Sequence, residues 1–399
     1  MTLENFHQGA PYSLFRELRQ DKAVAWEDEN ISALGGHWNV FSKECVDKVM
    51  KSPAIFSNAG GPRLEDPPKA MIQGANVSLN LMDAPLHRKN RSLVDHAFKP
   101  AAINRREDHI RQIAARIIDE VIDKGQCEFV GEVAQRLPLA VICWILGVPE
   151  TEKKMVCDLA NTMMLADDPD FSGGPGESFA AQAQLVIYGA GLAADHRLHP
   201  RDSLTMDMLL AKDDDFQLSD HEYGLFFLNL IIGGIETTRN STAFGLAELI
   251  RHPDQYQMLT ADPALIPGAV DEIVRFRTPI TYYRRTATQD VELAGEKIKQ
   301  GDTVICWLAA ANHDEQFFEQ PERFDITRCQ RESVRKHSRS FGVGPHFCIG
   351  VHLARLQLNI MFEEITSRMC NIQFVEEPKQ ALSVFVDGYK EMHISFDKA

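Results

Sequence analysis

One cysteine in a short, glycine-containing window has the surroundings of a metal-binding thiolate. The window is the segment 341–350, FGVGPHFCIG, and its cysteine is Cys348. An apolar helical pattern begins directly after it, at Val351, so we expect the thiol to face the unpaired N–H groups and positive dipole of a helix N-terminus. Such a position lowers a cysteine pKa and suits a soft, anionic metal ligand. A buried structural cysteine after a turn is the alternative interpretation.

The spacing of the cysteines restricts the kind of metal site. Cys348 has no metal-spaced cysteine partner in the sequence, which argues against zinc and iron–sulfur sites. A single thiolate with one open face is what an axial haem ligand needs. The window, here called the cysteine loop, resembles the haem-binding loop of the cytochrome P-450 family, Phe-Gly-x-Gly-x-His-x-Cys-x-Gly. Its six fixed positions are Phe341, Gly342, Gly344, His346, Cys348 and Gly350.

The resemblance extends over most of the chain and implies its architecture. It covers about residues 36 to 396, with the motifs in the expected order. It implies a single domain over residues 1–399, mainly α with small β-sheets. Haem b is expected between the long central helix and the helix that follows the cysteine loop, with Cys348 as the axial thiolate.

A carboxylate and a hydroxyl follow two glycines in the middle of an apolar helical pattern. These residues are Gly233, Gly234, Glu236 and Thr237. Adjacent glycines in a helix cost about 1 kcal/mol each relative to alanine, and polar groups in a buried span are costly unless they are used. A structural interpretation has Thr237 bonded to a carbonyl of its own helix and Glu236 paired with a nearby arginine. The resemblance instead implies an oxygen-binding groove, in which Thr237 and Glu236 form an acid–alcohol pair that delivers protons.

A glutamate and an arginine three residues apart share one face of another helical segment. Glu272 and Arg275 can pair there, although such pairs are common on solvated faces and contribute little. Downstream comes Pro-Glu-Arg-Phe, residues 321–324, and then the cysteine loop. The family carries these three motifs in this order, and the resemblance implies a buried structural triad of Glu272, Arg275 and Arg323.

Haem carries two carboxylates, which need positively charged partners. His87 and Arg91 are four residues apart in a helical segment, and the resemblance implies that they face the propionates. It implies the same for Arg285 and His346. Arg284 is the alternative to Arg285 by a shift in register. Taken one at a time, these residues could equally be surface cations or satisfied core histidines.

The substrate pocket is predicted from apolar residues, each of which could equally belong to the core. They come from the loop at 70–80, the long helix, the segment 279–283 and the C-terminal part. The candidates are Met71, Ile72, Val77, Phe227, Leu230, Ile231, Ile280, Tyr282, Val384 and Phe385. Their character predicts a hydrophobic substrate such as a terpenoid, a steroid or an alkyl chain.

A mainly helical body must position these side chains. Helical periodicity dominates from about 85 to 250, and the longest helix is predicted over about 220–251. A strand is predicted at 38–41, followed by a helix capped by Ser42. Further strands are predicted at 291–293, 304–308, 372–375 and 393–396.

The composition restricts the partners and the compartment. The chain has 399 residues and a formal net charge of −15, so nucleic acid and anionic membranes are poor partners. The N-terminal residues are polar and acidic and no apolar run is long enough to span a bilayer, so we expect a cytoplasmic protein without a membrane anchor. The eight cysteines are scattered, which fits free thiols in a reducing compartment. We expect a monomer.

These features together predict a haem–thiolate monooxygenase that uses O2 to oxidise a hydrophobic small molecule. Because the sequence has no Gly-x-Gly-x-x-Gly after a strand, we expect electrons from a separate ferredoxin and ferredoxin reductase. The alternatives are a haem–thiolate peroxygenase or isomerase, and a haem protein that binds ligands without turnover. We expect the ferredoxin to dock on the cysteine side of the haem. The basic candidates for this docking face are Lys336, Arg339 and Arg355, which are close to Cys348 in sequence, and Arg105 and Arg106, which the family resemblance implies there.

Overall fold

Long helices and short strands make up the computed structural model, which describes residues 1–28, 35–64, 78–164, 175–211 and 217–399. The helices are α1 (Tyr12–Asp21), α2 (Lys43–Met50), α3 (Leu86–Asp95), α4 (Pro100–Asn104), α5 (Glu107–Ile122), α6 (Arg136–Leu146), α7 (Lys153–Met164), α8 (Pro175–Leu198), α9 (Leu204–Leu210), α10 (Asp220–Arg251), α11 (Pro253–Ala261), α12 (Ile266–Phe276), α13 (Leu308–Ala311), α14 (Val334–His337) and α15 (Val351–Arg368). The strands are β1 (Val24–Glu27), β2 (His37–Val40), β3 (Phe56–Ser57), β4 (Gln126–Glu128), β5 (Tyr282–Ala287), β6 (Val291–Leu293), β7 (Glu296–Ile298), β8 (Thr303–Trp307), β9 (Met369–Phe374), β10 (Lys379–Gln380), β11 (Tyr389–Glu391) and β12 (His393–Lys398). The predicted fold class, mainly α with small sheets, is confirmed.

The long central helix, α10, has the bounds predicted from its periodicity. It begins with a capping box, in which the Ser219 hydroxyl accepts from the Glu222 N–H and the Glu222 carboxylate accepts from the Ser219 N–H. Two glycines, Gly189 on α8 and Gly224 on α10, bring these helices into close contact. A Cβ on Gly224 would lie 2.3 Å from the carbonyl oxygen of Val186. This backbone contact fixes α10 against its neighbour.

The main sheet has five strands in the order β1-β2-β8-β5-β3. Strands β2 and β8 are parallel, and β5 pairs antiparallel with β8 so that Tyr283 lies opposite Cys306. The predicted strand at 38–41 is observed one residue earlier, because Ser42 already caps α2 by accepting from the Cys45 N–H. The other predicted strands are confirmed within a few residues of their predicted ends.

Three apolar clusters of described residues hold these elements together, and the smallest, around Tyr282 and Trp307, includes side chains from α1, β5, β8 and α13. The largest one surrounds α10 and includes side chains from α5, α6, α8, α12 and α15. The second lies between α2 and the five-stranded sheet. Since α10 and α15 belong to the same cluster, the helix that follows the cysteine loop is packed into the same body as the long helix. Within the described ranges, no helix is both long and apolar enough to cross a membrane.

Candidate active site

Two glycines in the left-handed region shape the cysteine loop. Gly342 has φ +71° and Gly344 has φ +80°. A Cβ on Gly344 would lie 2.5 Å from the carbonyl oxygen of Met50, at the end of α2, so a side chain does not fit there. The Cys348 N–H donates to the Phe341 carbonyl at 2.9 Å. The loop is therefore closed on itself and packed against α2 just before α15 begins.

The thiol of Cys348 lies at the N-terminus of α15, as predicted, but its surroundings do not favour the thiolate. Burial raises its pKa, and the Gly350 N–H, Arg91 and Arg355 lower that pKa only in part. For the protein without a bound metal, the prediction of a lowered pKa for the Cys348 thiol is therefore wrong, because the effect of burial outweighs that of the helix N-terminus. A metal ion deprotonates a coordinating thiol outright, so a bound metal would supply the missing stabilisation.

A cavity separates the cysteine loop from α10, with Cys348 on one wall and Thr237 on the other. Its α10 wall consists of Phe226, Asn229, Leu230, Gly233, Gly234, Thr237, Thr238 and Ser241. Other residues that line it include Leu79, Asn80, His87, Arg91, Val94, Phe98, Ile142, Pro279, Ile280, Tyr283, Phe341, His346, Ile349 and Gly350. Apolar side chains predominate in the wall around a small number of polar ones.

The two glycines of α10 leave space at the cavity wall. A Cβ on Gly233 would meet no atom of the described residues within 4 Å, and one on Gly234 would lie 3.2 Å from the Ile142 side chain. The cavity therefore reaches the backbone of α10 at Gly233, one turn before Thr237.

The carboxylate and the hydroxyl next to these glycines make the contacts that the structural interpretation predicted. Thr237 donates through its hydroxyl to the Gly233 carbonyl at 2.9 Å, and it also lines the cavity. Glu236 is fully buried, and Arg239 Nη2 lies 2.7 Å from its Oε2 atom. Burial raises the pKa of Glu236, while Arg239 lowers it in part. Within the described part of the chain, neither carboxylate oxygen accepts an aligned hydrogen bond, so both retain the capacity to bind water.

Two imidazoles, predicted as cations, lie together at the edge of the cavity. The ring centroids of His87 and His346 are 3.9 Å apart. Burial, followed by the charges of His87, Arg285 and Arg91, lowers the pKa of His346 to about 3, and burial also lowers that of His87. Both rings are therefore neutral near pH 7 and can donate hydrogen bonds to a carboxylate without carrying charge. Among the described residues, the buried Nε2 atom of His87 has no partner.

Arg91 connects α3 to the cysteine loop. Its Nη1 atom donates to the carbonyls of Pro345, at 3.2 Å, and Phe347, at 2.7 Å. Its Nε atom donates to Asp95 at 3.1 Å. The guanidinium lines the cavity, so it holds the loop and presents positive charge to the same space.

Strand alternation favours Arg285 over Arg284 as the cavity-side arginine. Side chains two apart on a strand share a face, so Arg285 is on the face of Tyr283, which lines the cavity. Arg284 is on the other face, where it donates to the Leu64 carbonyl at 3.1 Å. Burial lowers the pKa of Arg285, which is 4% exposed.

The buried triad exists, but its third member is not Arg323. Arg275 donates to Glu272 at 2.7 and 2.8 Å, and Arg328 Nε donates to the same carboxylate at 3.0 Å. All three side chains are buried, whereas Arg323 is exposed. The prediction of Arg323 is wrong because a turn from Gln320 to Arg323 directs that side chain outward. The Arg323 carbonyl accepts from Arg328 at 2.7 Å instead.

The predicted pocket residues on α10 include two from the wrong face of the helix. Leu230 lines the cavity, but Phe227 and Ile231 are fully buried in the core. Successive helical residues differ by about 100° in direction, so the residues that follow Phe226 and Leu230 point away from the wall that those two form. Phe227 packs against Tyr188 with ring centroids 5.5 Å apart.

The pocket residues predicted near β5 and in the C-terminal segment also include some that do not line the cavity. Ile280 lines the cavity as predicted, whereas Tyr282 faces the opposite side of β5 and packs against Trp307. Val384 and Phe385 pack into the cluster that contains Tyr282, and neither is among the described lining residues.

Three of the predicted pocket residues, Met71, Ile72 and Val77, lie outside the described residues. Counting helical turns back from Thr237 would have found two wall residues that sequence reasoning missed on α10. No local pattern marked the others. The missed residues include Leu79, Asn80, Val94, Phe98, Ile142, Phe226 and Asn229, whereas Tyr283, from the predicted segment 279–283, lines the cavity.

The basic residues predicted for a docking face have different environments. Arg339 is 5% exposed and pairs with Asp47 through two hydrogen bonds, so it is not available at the surface. Arg355 donates to Asp271 at 2.8 Å and is half-buried. Arg106 is half-buried, with Nη2 3.8 Å from Asp207. The remaining two, Arg105 and Lys336, are exposed.

The donor set around the cavity fits a haem. The thiol of Cys348 faces the cavity from the cysteine loop, and Gly233 leaves space on the opposite wall. Beside Arg91, His87 has a buried nitrogen without a partner in the described part of the chain, which suits a propionate. Together with the mainly helical fold, these features define the class of haem proteins ligated by a cysteine thiolate.

The chain belongs to the cytochrome P450 family. The family model "Cytochrome P450" matches residues 193–369. The chain is 33% identical to a steroid C26-monooxygenase of Rhodococcus jostii (strain RHA1), over 98% of this chain and 82% of that protein. It is also 33% identical to a methyl-branched lipid omega-hydroxylase of Mycobacterium tuberculosis (strain CDC 1551 / Oshkosh), over 96% of this chain and 90% of that protein.

Solved structures agree with this assignment. A Mycobacterium marinum cytochrome P450 in complex with pseudoionone has a TM-score of 0.89 and 33% identity, and 98% of this chain and 96% of that chain are covered. A Bacillus megaterium protein in complex with testosterone has a TM-score of 0.87 and 30% identity, with 99% of each chain covered. The protein is a cytochrome P450 monooxygenase, and its family and fold imply haem with a cysteine thiolate as the axial ligand.

Proposed function

We propose that the protein inserts one atom of O2 into an elongated, hydrophobic small molecule of the steroid or lipid type. One observation carries the proposal: a cavity with mainly apolar walls joins the thiol of Cys348 to the Thr237 face of α10. Two relatives, a steroid C26-monooxygenase and a methyl-branched lipid omega-hydroxylase, favour the same substrate class.

Each site residue has a specific role in this proposal. Cys348 ligates the iron, and the haem, when bound, supplies the activation of O2. The Thr237 hydroxyl, whose hydrogen is donated to the Gly233 carbonyl, accepts hydrogen bonds in the cavity, and Glu236 passes protons toward it from the buried side of α10. Arg91 positions the cysteine loop and, with His87, His346 and Arg285, holds the propionates.

The electrons are proposed to come from a separate ferredoxin and its reductase. The exposed cations Arg105 and Lys336 would attract an acidic partner, so the reduction rate should fall as ionic strength rises. A salt-independent rate that the Lys336→Glu variant leaves unchanged would contradict this part. We further propose that residues 1–399 form a single domain that acts as a cytoplasmic monomer.

The thiolate assignment has a direct spectroscopic test. The reduced protein with carbon monoxide should show the red-shifted Soret band of thiolate-ligated haem, and Cys348→His should lose it. Cys329→Ser, at another half-buried cysteine, is the matched control and should keep the band. The proposal fails if Cys329→Ser abolishes the band while Cys348→Ser retains it.

The oxygen chemistry needs a second measurement. With a ferredoxin system, NADH consumption coupled to hydroxylated product is expected only for a monooxygenase. Product formed from hydrogen peroxide alone, with none from NADH and O2, would favour the peroxygenase alternative. The absence of any product in both reactions would favour a haem protein that only binds ligands.

A further inference from the structure

A group of polar side chains interrupts the apolar wall of the cavity two turns before Thr237. The group, called here the amide cluster, consists of Ser78, Asn80 and Asn229. Asn229 is on the cavity-facing side of α10, between the apolar residues Phe226 and Leu230. The members of the cluster bond one another, so any hydrogen-bonding capacity left for a ligand belongs to the member whose groups are not all used.

Asn229 holds the other two members in place. Its Nδ2 atom donates to the Ser78 hydroxyl at 3.1 Å and to the Leu225 carbonyl at 2.8 Å. Its Oδ1 atom accepts from Asn80 Nδ2 at 2.9 Å. Both donors of Asn229 are thereby used, so this residue orients the cluster and is not itself free to bind.

Asn80 has the hydrogen-bonding capacity that remains. It lines the cavity and is exposed, and one of its amide hydrogens is used by Asn229. Its carbonyl oxygen and second amide hydrogen have no partner among the residues described here. A primary amide with one donor and one acceptor available matches a hydroxyl or a carbonyl group, both of which are neutral.

The distance along α10 defines the length of the ligand. Asn229 precedes Thr237 by eight residues on the same face, which corresponds to about 12 Å at the helical rise per residue. We propose that Asn80, oriented by Asn229, determines specificity by binding a neutral hydroxyl or carbonyl group of the substrate. The rest of the molecule is then an apolar body that places a C–H bond about 12 Å away, opposite Cys348. The binding part of this proposal stands on the cavity alone, and the position of oxidation rests on the proposed function.

The binding part is tested with two probes that differ only in the polar group, 1-dodecanol and dodecane. Soret-shift titrations of the haem-loaded protein should show that dodecanol binds about five- to tenfold more tightly, which is the contribution of one hydrogen bond. Asn80→Leu should remove this preference while the dissociation constant of dodecane stays within about twofold. Ser241→Ala, a polar lining residue twelve positions after Asn229, should keep the preference.

Three results would overturn the proposal. The first is equal binding of the two probes by the unmodified protein, and the second is a preference that Asn80→Leu leaves intact. The third is the absence of a Soret shift with either probe, because a cavity that extends about 12 Å along α10 from Asn229 to Thr237 should accept both molecules. Asn229→Leu provides a second test, since it should reduce the preference through loss of orientation even though Asn229 has no free donor.

Product analysis separates this proposal from the proposed function. If dodecanol is oxidised, the new hydroxyl should be concentrated at the end remote from the alcohol, and Asn80→Leu should spread it over more positions. Product formed at the same positions by both proteins refutes the anchoring role but leaves the monooxygenase assignment intact. Loss of the thiolate band with carbon monoxide refutes the monooxygenase assignment instead.

Discussion

The two walls of the cavity are held in different ways. On the cysteine-loop side, Arg91 donates to two loop carbonyls and Gly344 packs against the backbone of α2. On the opposite side, a Cβ on Gly233 would meet none of the described atoms within 4 Å, and the Thr237 hydroxyl is bonded to its own helix. The wall that carries the metal ligand is therefore fixed by backbone packing and by hydrogen bonds from a charged side chain, whereas the facing wall leaves room for reactants.

The largest effect on the free energy of unfolding is expected from the buried triad of Glu272, Arg275 and Arg328. Arg328→Ala should lower the free energy of unfolding by about 3–5 kcal/mol, because it leaves the buried charge of Glu272 with one partner fewer. Arg323→Ala should change it by less than about 0.5 kcal/mol, since that side chain is exposed. Chemical denaturation of the two variants measures both values. Equal destabilisation would show that Arg323, as the motif suggested, also contributes to the triad.

The error at Arg323 shows what local sequence could and could not predict. The bounds of α10 were predictable because periodicity and a capping box act within a few residues. The shape of the cysteine loop was predictable because two glycines permit positive φ angles. The third arginine depends on how a turn directs the chain over a distant helix, and the order of motifs carries no information about that direction.

Burial was the other property that local patterns did not reveal. Arg339 was predicted at a docking surface because it is basic and close to Cys348 in sequence. The structure encloses it, with Asp47 as its partner, although Asp47 is 292 residues away along the chain. The same limit explains Phe227: its apolar character indicated a buried position, but only the helix face shows that the position belongs to the core.

A pair of glycine substitutions compares the two walls directly. Gly344→Ala should lower the free energy of unfolding by at least about 2 kcal/mol, because φ is +80° and the new methyl group would contact the Met50 carbonyl. Gly233→Ala should raise it by about 0.5–1 kcal/mol, since alanine favours a helix and its Cβ meets open space. Thermal unfolding of the two variants gives the comparison. If both substitutions destabilise equally, the contrast between a fixed and an open wall is wrong.

The ion pair between Asp47 and Arg339, next to the cysteine loop, should make a contribution of intermediate size to the free energy of unfolding, and this contribution should depend on pH. Burial alone would raise the pKa of Asp47, but hydrogen bonds from Arg339 and Lys51 outweigh it and lower the pKa to about 2. A carboxyl with a lowered folded-state pKa stabilises the protein above its unfolded pKa, and this stabilisation is lost as the pH falls through the folded value. Asp47→Asn should therefore cost about 2 kcal/mol near pH 7.

The measurement is the free energy of unfolding as a function of pH. The difference between Asp47→Asn and the unmodified protein should shrink as the pH falls from about 4 to about 2. Lys51→Gln is the control, because Lys51 bonds the same carboxylate at 3.0 Å but is half exposed, and it should cost less than about 1 kcal/mol. A difference that does not vary with pH would mean that Asp47 contributes through packing and not through its charge.

The smallest effect on stability, and the most specific effect on function, is expected at Thr237. Thr237→Ala removes one hydroxyl bonded to the carbonyl four residues earlier, so the free energy of unfolding should change by less than about 1 kcal/mol. Haem content and carbon monoxide binding should stay unchanged, since no ligand is lost. Product formed per NADH should fall steeply, with electrons recovered as hydrogen peroxide, because the open wall then lacks the hydroxyl that positions the proton supply.

Two further variants make this last comparison decisive. Thr242 makes the same kind of bond, to the Thr238 carbonyl at 2.8 Å, one turn further along α10 and in a buried position. Thr242→Ala should therefore match the stability change of Thr237→Ala while it keeps full coupling of NADH to product. Glu236→Gln should slow NADH consumption itself, because it hinders proton entry before product and peroxide diverge. If Thr237→Ala and Thr242→Ala are equally well coupled, the hydroxyl of Thr237 serves only its helix, and the open wall delivers protons by another route.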